Sequence, residues 1–248
     1  MKQPLSPHCY PDTNVVISRA RRWDPRHKAA TSALSNRVMI DIKVLRTVFI
    51  ESGNVISRKN QEAIKAIQKA MLKIASDKGI PPTMIDGRHL DQIIKEGRTQ
   101  VDKEIVTYFD AIESIMRGMS KQGLNPFTSM GYVGDQAIQR DRSSVSAIFL
   151  VETVDDCIGC SNERQKRMKA EIEGHLRSAD TFFNDGINSK DREIAAEAMV
   201  AAWDIETKRK VHFLTDDNKF HDALKPSIGV VSSKMKLDPD QFMVKKVN

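Results

Sequence analysis

Two short stretches of this chain set a carboxylate beside an apolar run, with a hydroxyl and an amide close by. The first is Pro11-Asp12-Thr13-Asn14-Val15-Val16-Ile17, and the second is His212-Phe213-Leu214-Thr215-Asp216-Asp217-Asn218-Lys219-Phe220. A third carboxylate, Asp191, opens the Ala-rich segment DREIAAEAMVAAW, which ends at Trp203. Ligands of open α/β sheets bind at the carboxyl ends of the strands, and Asp217, just after the strand-like VHFLT, belongs at such an end. Carboxylates brought together repel and raise one another's pKa. A hard divalent cation relieves that repulsion. Mg²⁺ takes oxygen ligands, keeps several waters and leaves room for a phosphate. It can then polarise a phosphoryl oxygen and activate water for in-line attack. Each acid alone has an ordinary alternative, Asp12 and Asp217 as turn formers and Asp191 as a helix cap.

Taken in order, these motifs resemble the PIN-domain nucleases. That family opens with a strand leading into Asp-x-Asn-hydrophobic, here Asp12-Thr13-Asn14-Val15. It then has an Asp followed by Ile-Ala-Ala-x-Ala on a helix, here Asp191 and Ile194-Ala195-Ala196-Glu197-Ala198. Next comes hydrophobic-Leu/Val-Thr-x-Asp-x-x-Phe, here Leu214 to Phe220, and a strand matched by Ile228–Val231. The resemblance covers residues 8–56 and 165–232. It implies a three-layer α/β/α sandwich around a mainly parallel sheet, and a Mg²⁺- or Mn²⁺-dependent endoribonuclease that hydrolyses RNA phosphodiester bonds, toxin-like or RNA-processing. Under this reading Asp12, Asp191 and Asp217 bind the metal, Asp216 and Glu51 are outer members, and Asn14 and Thr215 orient ligands or water.

The family also places a Glu in a Val-Leu-x-Glu-Leu-like context after the second strand. The matching stretch here is Val44-Leu45-Arg46-Thr47-Val48, with Thr47 at the expected Glu position. Glu51, four residues on, shares the helical face of Thr47, and Asp41 lies nearly two turns before Thr47; either could substitute, and Glu51 is the expected replacement. If Glu51 is only a helix-end acid, the site has three carboxylates.

Arg19, Arg21, Arg22, Arg26 and Lys28 crowd behind the Asp12 turn, with Trp23 and His27 among them. They could hold nucleic-acid phosphates, with Trp23 stacking on a base, or form a solvated face. Arg164, Lys166, Arg167 and Lys169 read as a solvated helix face, and Lys208-Arg209-Lys210 as a helix C-terminal cap. Cys157 and Cys160 form a lone C-x₂-C. A structural zinc needs four ligands, and although Cys9 with His8 or His175 could complete the set, the spacing does not demand it. No Gly-rich phosphate loop or nucleophile elbow occurs.

The elements that must position these acids alternate at both ends of the chain. Arg37–Ile40 reads as a strand and Asp41–Ile50 as a helix. Ser57 is the expected N-cap of a helix to Asp77, and a second helix spans Thr99–Met119. Gly123–Asp135 reads as a loop, and residues 143–183 as helix interrupted near Gly159. At the end, helix Asp191–Trp203, strand Val211–Thr215, a short helix Asp217–Leu224 and strand Ile228–Val231 follow. The expected organisation is a discontinuous α/β domain, 1–56 with 161–232, a helical insertion at 57–160 and a mobile tail at 233–248.

Composition narrows the function class. With 248 residues, 40% hydrophobic and 29% charged, the chain can bury a core rather than stay disordered. Lys plus Arg number 39 against 33 Asp plus Glu, a net charge of +6 that permits a polyanionic partner. No apolar run is long enough for a membrane span, the first residues carry no secretory core, and three Cys suit a reducing, cytoplasmic setting. The leading reading is the endoribonuclease. The alternatives are a non-catalytic nucleic-acid-binding or assembly protein on a PIN-like scaffold, its insertion receiving a protein partner, and a structure-specific DNA nuclease.

Overall fold

All strands of the sheet run the same way. The structure, a computed structural model, describes residues 7–22, 24–35, 41–151, 153–155, 162–178, 189–204 and 210–247. Strands β1 (His8–Pro11), β2 (Asp41–Leu45), β3 (Thr153–Asp155), β4 (Val211–Thr215) and β5 (Phe242–Lys246) form one parallel sheet ordered β3-β2-β1-β4-β5. His8 of the central β1 lies opposite both Asp41 and Val211. All four β1 residues are buried, as in parallel strands covered on both faces. The order reverses at β1: β2 and β3 build out on one side, β4 and β5 on the other. The loops after β1 and β4 therefore meet at the switch point where open parallel sheets bind ligands.

Helices make the crossovers that parallel pairing requires. α1 (Thr13–Ala20) and α2 (His27–Ser35) follow β1, and α3 (Arg46–Asp77) continues straight from β2. α4 (Leu90–Arg98), α5 (Lys103–Lys121) and α6 (Met130–Val151) come before β3, α7 (Glu163–Ser178) and α8 (Ser189–Trp203) before β4, and α9 (Asn218–Met235) between β4 and β5. α8 packs against α7 and against β2, β4 and β5, so every residue from Ile194 to Trp203 is buried. Its alanines allow that close seating. Phe213 stacks on Phe242 at 6.3 Å between centroids and meets Phe220 edge-on at 5.6 Å, tying β4 to β5 and α9.

Several elements differ from expectation. Asp41–Leu45 is strand rather than helix, because Ile42 pairs with Cys9 in the sheet. The following helix starts at Arg46, so Ser57 is internal and its hydroxyl donates to the Gly53 carbonyl at 2.9 Å. The expected strand Arg37–Ile40 lies outside the described residues. The expected loop Gly123–Asp135 ends where α6 begins, at Met130. Thr153–Asp155 is a strand inside the segment assigned to the insertion. Ile228–Val231 is helical: buried Ala223, Leu224, Ser227, Ile228 and Val231 keep helical spacing through Pro226. The expected tail holds the edge strand β5, with Phe242 fully buried.

The chain divides into two compact units, Met1–Ser52 with Val145–Asn248, and Gly53–Ser144. The divisions fall within α3 and α6. In the second unit only helices and 3-10 turns occur among the described residues, around buried Ile67, Ile93, Phe109, Ile112 and Met116. Gly97 lets α4 approach α5 closely. A Cβ there would stand 3.1 Å from two ring carbons of Phe109 and 3.5 Å from the Ala66 carbonyl oxygen. Phe109 is fully buried, so its ring has nowhere to retreat. Gly97→Ala is expected to destabilise by about 1–2 kcal/mol, overpacking outweighing the helix-propensity gain. The urea midpoint of the full chain checks this; a raised midpoint would show that the ring gives way.

Candidate active site

Asp12 sits at the carboxyl end of β1 and caps α1. Its Oδ1 accepts from the Val15 amide at 2.9 Å, which fixes the turn and starts the helix. Its Oδ2 accepts from the hydroxyl of Thr215, the last residue of β4. Asp12 is 4% exposed and Thr215 is fully buried. Burial pushes the Asp12 pKa up to about 7. The Thr215 hydroxyl and the Val15 amide oppose this rise, while the charges of Asp216 and Asp191 add to it.

Thr215 joins the two strand ends. Its Oγ1 also accepts from the Asp217 amide at 3.0 Å, and Asp217 caps α9 by accepting from the Phe220 amide at 3.0 Å. The motif's spacing is thereby explained. The Thr hydroxyl turns the chain after the strand, and the second Asp starts the next helix. Asp12 and Asp217 thus flank the switch point. Asp191, half-buried in the first turn of α8, is close enough for its charge to raise the Asp12 pKa. Glu51 accepts from the Thr13 hydroxyl at 2.5 Å, one residue from Asp12.

Asp216, whose charge also raises the Asp12 pKa, has a cation of its own. Its Oδ2 is 2.8 Å from Nη1 of Arg26, and its side chain is only 4% exposed. Burial raises its pKa, Arg26 lowers it, and Asp24 and Asp217 raise it further. Asp216, expected as an outer metal-site member, is here a buried counter-ion of Arg26, which reaches from the turn before α2.

The other residues of the basic cluster fall in different environments. Arg21 is 1% exposed and cannot offer its guanidinium to a nucleic acid. Arg19 is half-buried, Arg22 and Lys28 are exposed, and Trp23 lies outside the described residues. Asn14 is exposed on the first turn of α1. The expected caps Lys208 and Arg209, and Cys157 with Cys160, lie outside the described residues, whereas Cys9 packs with Val15, Leu34 and Leu214 in an apolar cluster.

A second group of charges was not foreseen. Thr47, in place of the expected Glu, donates to Oε1 of Glu197 at 2.7 Å. Nζ of Lys169 donates to that same oxygen at 2.7 Å and to Oε1 of Glu193 at 3.0 Å. Lys169 is therefore no solvated face; its side chain is 14% exposed. Burial opposes its charge, yet Glu197 and Glu193 hold its pKa above the ordinary lysine value. Lys190 donates to Oε2 of Glu193 at 2.6 Å, and the charge of Glu51 helps raise its pKa. The sequence signals were Glu193 and Glu197 one turn apart on α8, and Lys169 and Glu173 one turn apart on α7.

Among the described residues no three His, Cys, Asp or Glu side chains gather closely enough to hold a metal ion. The donor chemistry of Asp12, Asp191 and Asp217 nonetheless suits a hard cation, because all are carboxylates and two are held by backbone amides at strand ends. No helix among the described residues is long and apolar enough to cross a membrane. No protein-family model, curated protein or solved structure matches the chain.

Proposed function

We propose that this chain is a Mg²⁺- or Mn²⁺-dependent phosphodiesterase on a PIN-like three-layer α/β/α scaffold, hydrolysing RNA. One observation carries the reading. Asp12 and Asp217 follow the two strands that meet at the switch point, and one buried hydroxyl, that of Thr215, donates to the Asp12 carboxylate and accepts from the Asp217 backbone amide. Asp12, Asp191 and Asp217 would hold the cation, which when bound would polarise a phosphoryl oxygen and lower the pKa of its water. The chain's own contribution is orientation. The Val15 amide and Thr215 hydroxyl fix the Asp12 carboxylate, the Phe220 amide fixes Asp217, and Thr13 holds Glu51 alongside. Exposed Arg22 and Lys28 supply positive charge near the Asp12 turn for backbone phosphates.

A specific observation favours a second reading, a non-catalytic RNA-binding scaffold. Thr47 stands where the family places an acid, and nearby Glu197 is taken up by Lys169.

Incubating the purified chain with long single-stranded RNA and with DNA of the same sequence, each with Mn²⁺ or EDTA, separates these readings. The expected result is RNA cleavage that needs Mn²⁺, stops with EDTA and falls strongly in Glu51→Gln. Arg22→Ala with Lys28→Ala should weaken RNA binding and flatten its salt dependence, by about 0.7 in log–log slope for each phosphate no longer neutralised, with the metal requirement intact. Binding without cleavage would hand the site to the scaffold reading, and preferential DNA cleavage would change the substrate.

A further inference from the structure

We infer that the open face of the β4–β5 edge, from Lys210 through His212 to Lys245, is a phosphate-binding strip for the RNA strand that the Asp12 site would cleave. That the strand is RNA and leads to Asp12 rests on the phosphodiesterase reading above; the strip stands on its own geometry. Side chains alternate along β4, so His212 and Leu214 point to one face of the sheet and Val211, Phe213 and Thr215 to the other. In the register, His212 lies opposite Met243 of β5, and Leu214 opposite Lys245. Over the inner strands this face is covered, with Val15 of α1 and Ala30 and Leu34 of α2 packed among Cys9, Ile42 and Leu214. At β5 it opens to solvent, where Met243 is 42% exposed and Lys245 is exposed.

Nζ of Lys245 stands 3.2 Å from Nδ1 of His212. An ammonium can only donate, so Nδ1 accepts, the ring is neutral and its proton sits on Nε2. Burial lowers the His212 pKa, and the charges of Lys245 and Lys210 lower it further. Elsewhere lysines are met by acids, Lys169 by Glu197, Lys190 by Glu193 and Lys73 by Glu96. Among the described residues no carboxylate pairs with Lys210 or Lys245. Two ammonium groups and a ring N–H donor thus share one strip without an anion of the chain's own. An edge strand needs a lysine only to repel other edges, not to set it against a histidine whose charge it suppresses. A phosphate supplies what is missing. Its oxygens accept from Nζ and Nε2, and its charge relieves the repulsion. Lys245 is level with Leu214 and, one strand further in, with Pro11, the residue before Asp12. Two strand spacings put its Cα about 10 Å from that of Pro11, and the strip runs back about 13 Å to the level of Lys210. That length suits successive phosphates of a strand rather than one small anion.

The test is fluorescence anisotropy of a labelled single-stranded RNA with the full chain in EDTA, which withholds metal, over a range of salt. Lys210→Gln with Lys245→Gln should weaken binding about 25-fold at about 0.1 M salt, about fivefold for each contact, and flatten the log–log slope by about 1.4. Lys245→Arg should keep the wild-type slope. Lys234→Gln removes one positive charge from α9, which packs on the opposite face through Phe220 and Phe213, and should leave affinity and slope unchanged. His212→Leu should weaken binding about tenfold with the slope unchanged, because a neutral donor releases no counterion. The His212 imidazole NMR signals should shift when RNA is added to wild type.

Binding and cleavage fail separately. RNA bound through the strip but left intact in Mn²⁺ would end the phosphodiesterase reading and leave the strip standing. Absence of RNA binding, a wild-type slope in the Lys210→Gln, Lys245→Gln chain, or an equal loss per charge in Lys234→Gln would overturn the inference, whether or not the Asp12 site cleaves.

Discussion

Asp12→Asn is expected to abolish Mn²⁺-dependent cleavage while making the metal-free chain more stable than wild type above pH 7. Loss of cleavage follows because a neutral amide is a far poorer ligand for a hard cation than a carboxylate. The gain in stability follows from linkage. The folded chain holds the Asp12 proton up to about pH 7, whereas the unfolded chain releases it near the ordinary value of 3.8. Between those values the folded state binds more protons, so stability falls as pH rises through the window and levels off above it. At about 1.4 kcal/mol per pH unit, the cost is on the order of 4 kcal/mol. Asn has no proton to lose in this range and can still accept from the Val15 amide, so the cap survives. Urea midpoints of both proteins from about pH 4 to about pH 9 give the measurement. The curves should meet at the acid end and diverge towards neutrality, and Mn²⁺ should raise the wild-type midpoint alone. An Asp12→Asn chain less stable than wild type at about pH 9 would mark Asp12 as an ordinary, well-satisfied cap.

That expectation was half visible in the sequence. Asp12, Thr215 and Asp217 stand at the ends of strand-like runs, and VHFLT is β4 residue for residue. What could not be read locally was burial. Asp12 could be placed in a turn, but not at 4% exposure under Thr215, a contact spanning 203 positions. Arg21 and Glu197 escaped for the same reason. Charged residues are rarely buried, so each looks like surface until a distant partner is known. Glu197 is 150 positions from Thr47, and the resemblance marked only the Thr47 end of that pair. Among the elements, α9 was cut short because Pro226 and the β-branched Ile228–Val231 imitate a break and a strand, while the spacing of the buried residues stays helical. β5 was missed because FMVKK is half polar, as suits an edge strand, and its partner β4 lies beyond an intervening helix.

Thr215→Val should produce the second large effect, a loss of stability whose pH dependence identifies its cause. Valine matches threonine in shape, so the fully buried site keeps its packing and loses only the hydroxyl. Two groups then lack their partner, Asp12 Oδ2 and the Asp217 amide. Leaving such groups unsatisfied costs about 1–3 kcal/mol each, the more so where one is charged. The Asp12 term should vanish at low pH, where the carboxyl is protonated, and grow through neutrality, since the lost hydroxyl opposed the rise in its pKa. The Asp217 amide term should not vary with pH. A deficit of about 1 kcal/mol near pH 4 that widens to about 3 kcal/mol near pH 8 is therefore expected. Under the metal-dependent reading, Mn²⁺ affinity and cleavage should both fall about 10–100-fold, the usual cost of losing an orienting partner. Thr215→Ser keeps the hydroxyl and should restore the pH profile and the metal affinity, while still losing a buried methyl group. A pH-independent deficit shared by Val and Ser would assign the whole effect to packing and leave Asp12 unguided by Thr215.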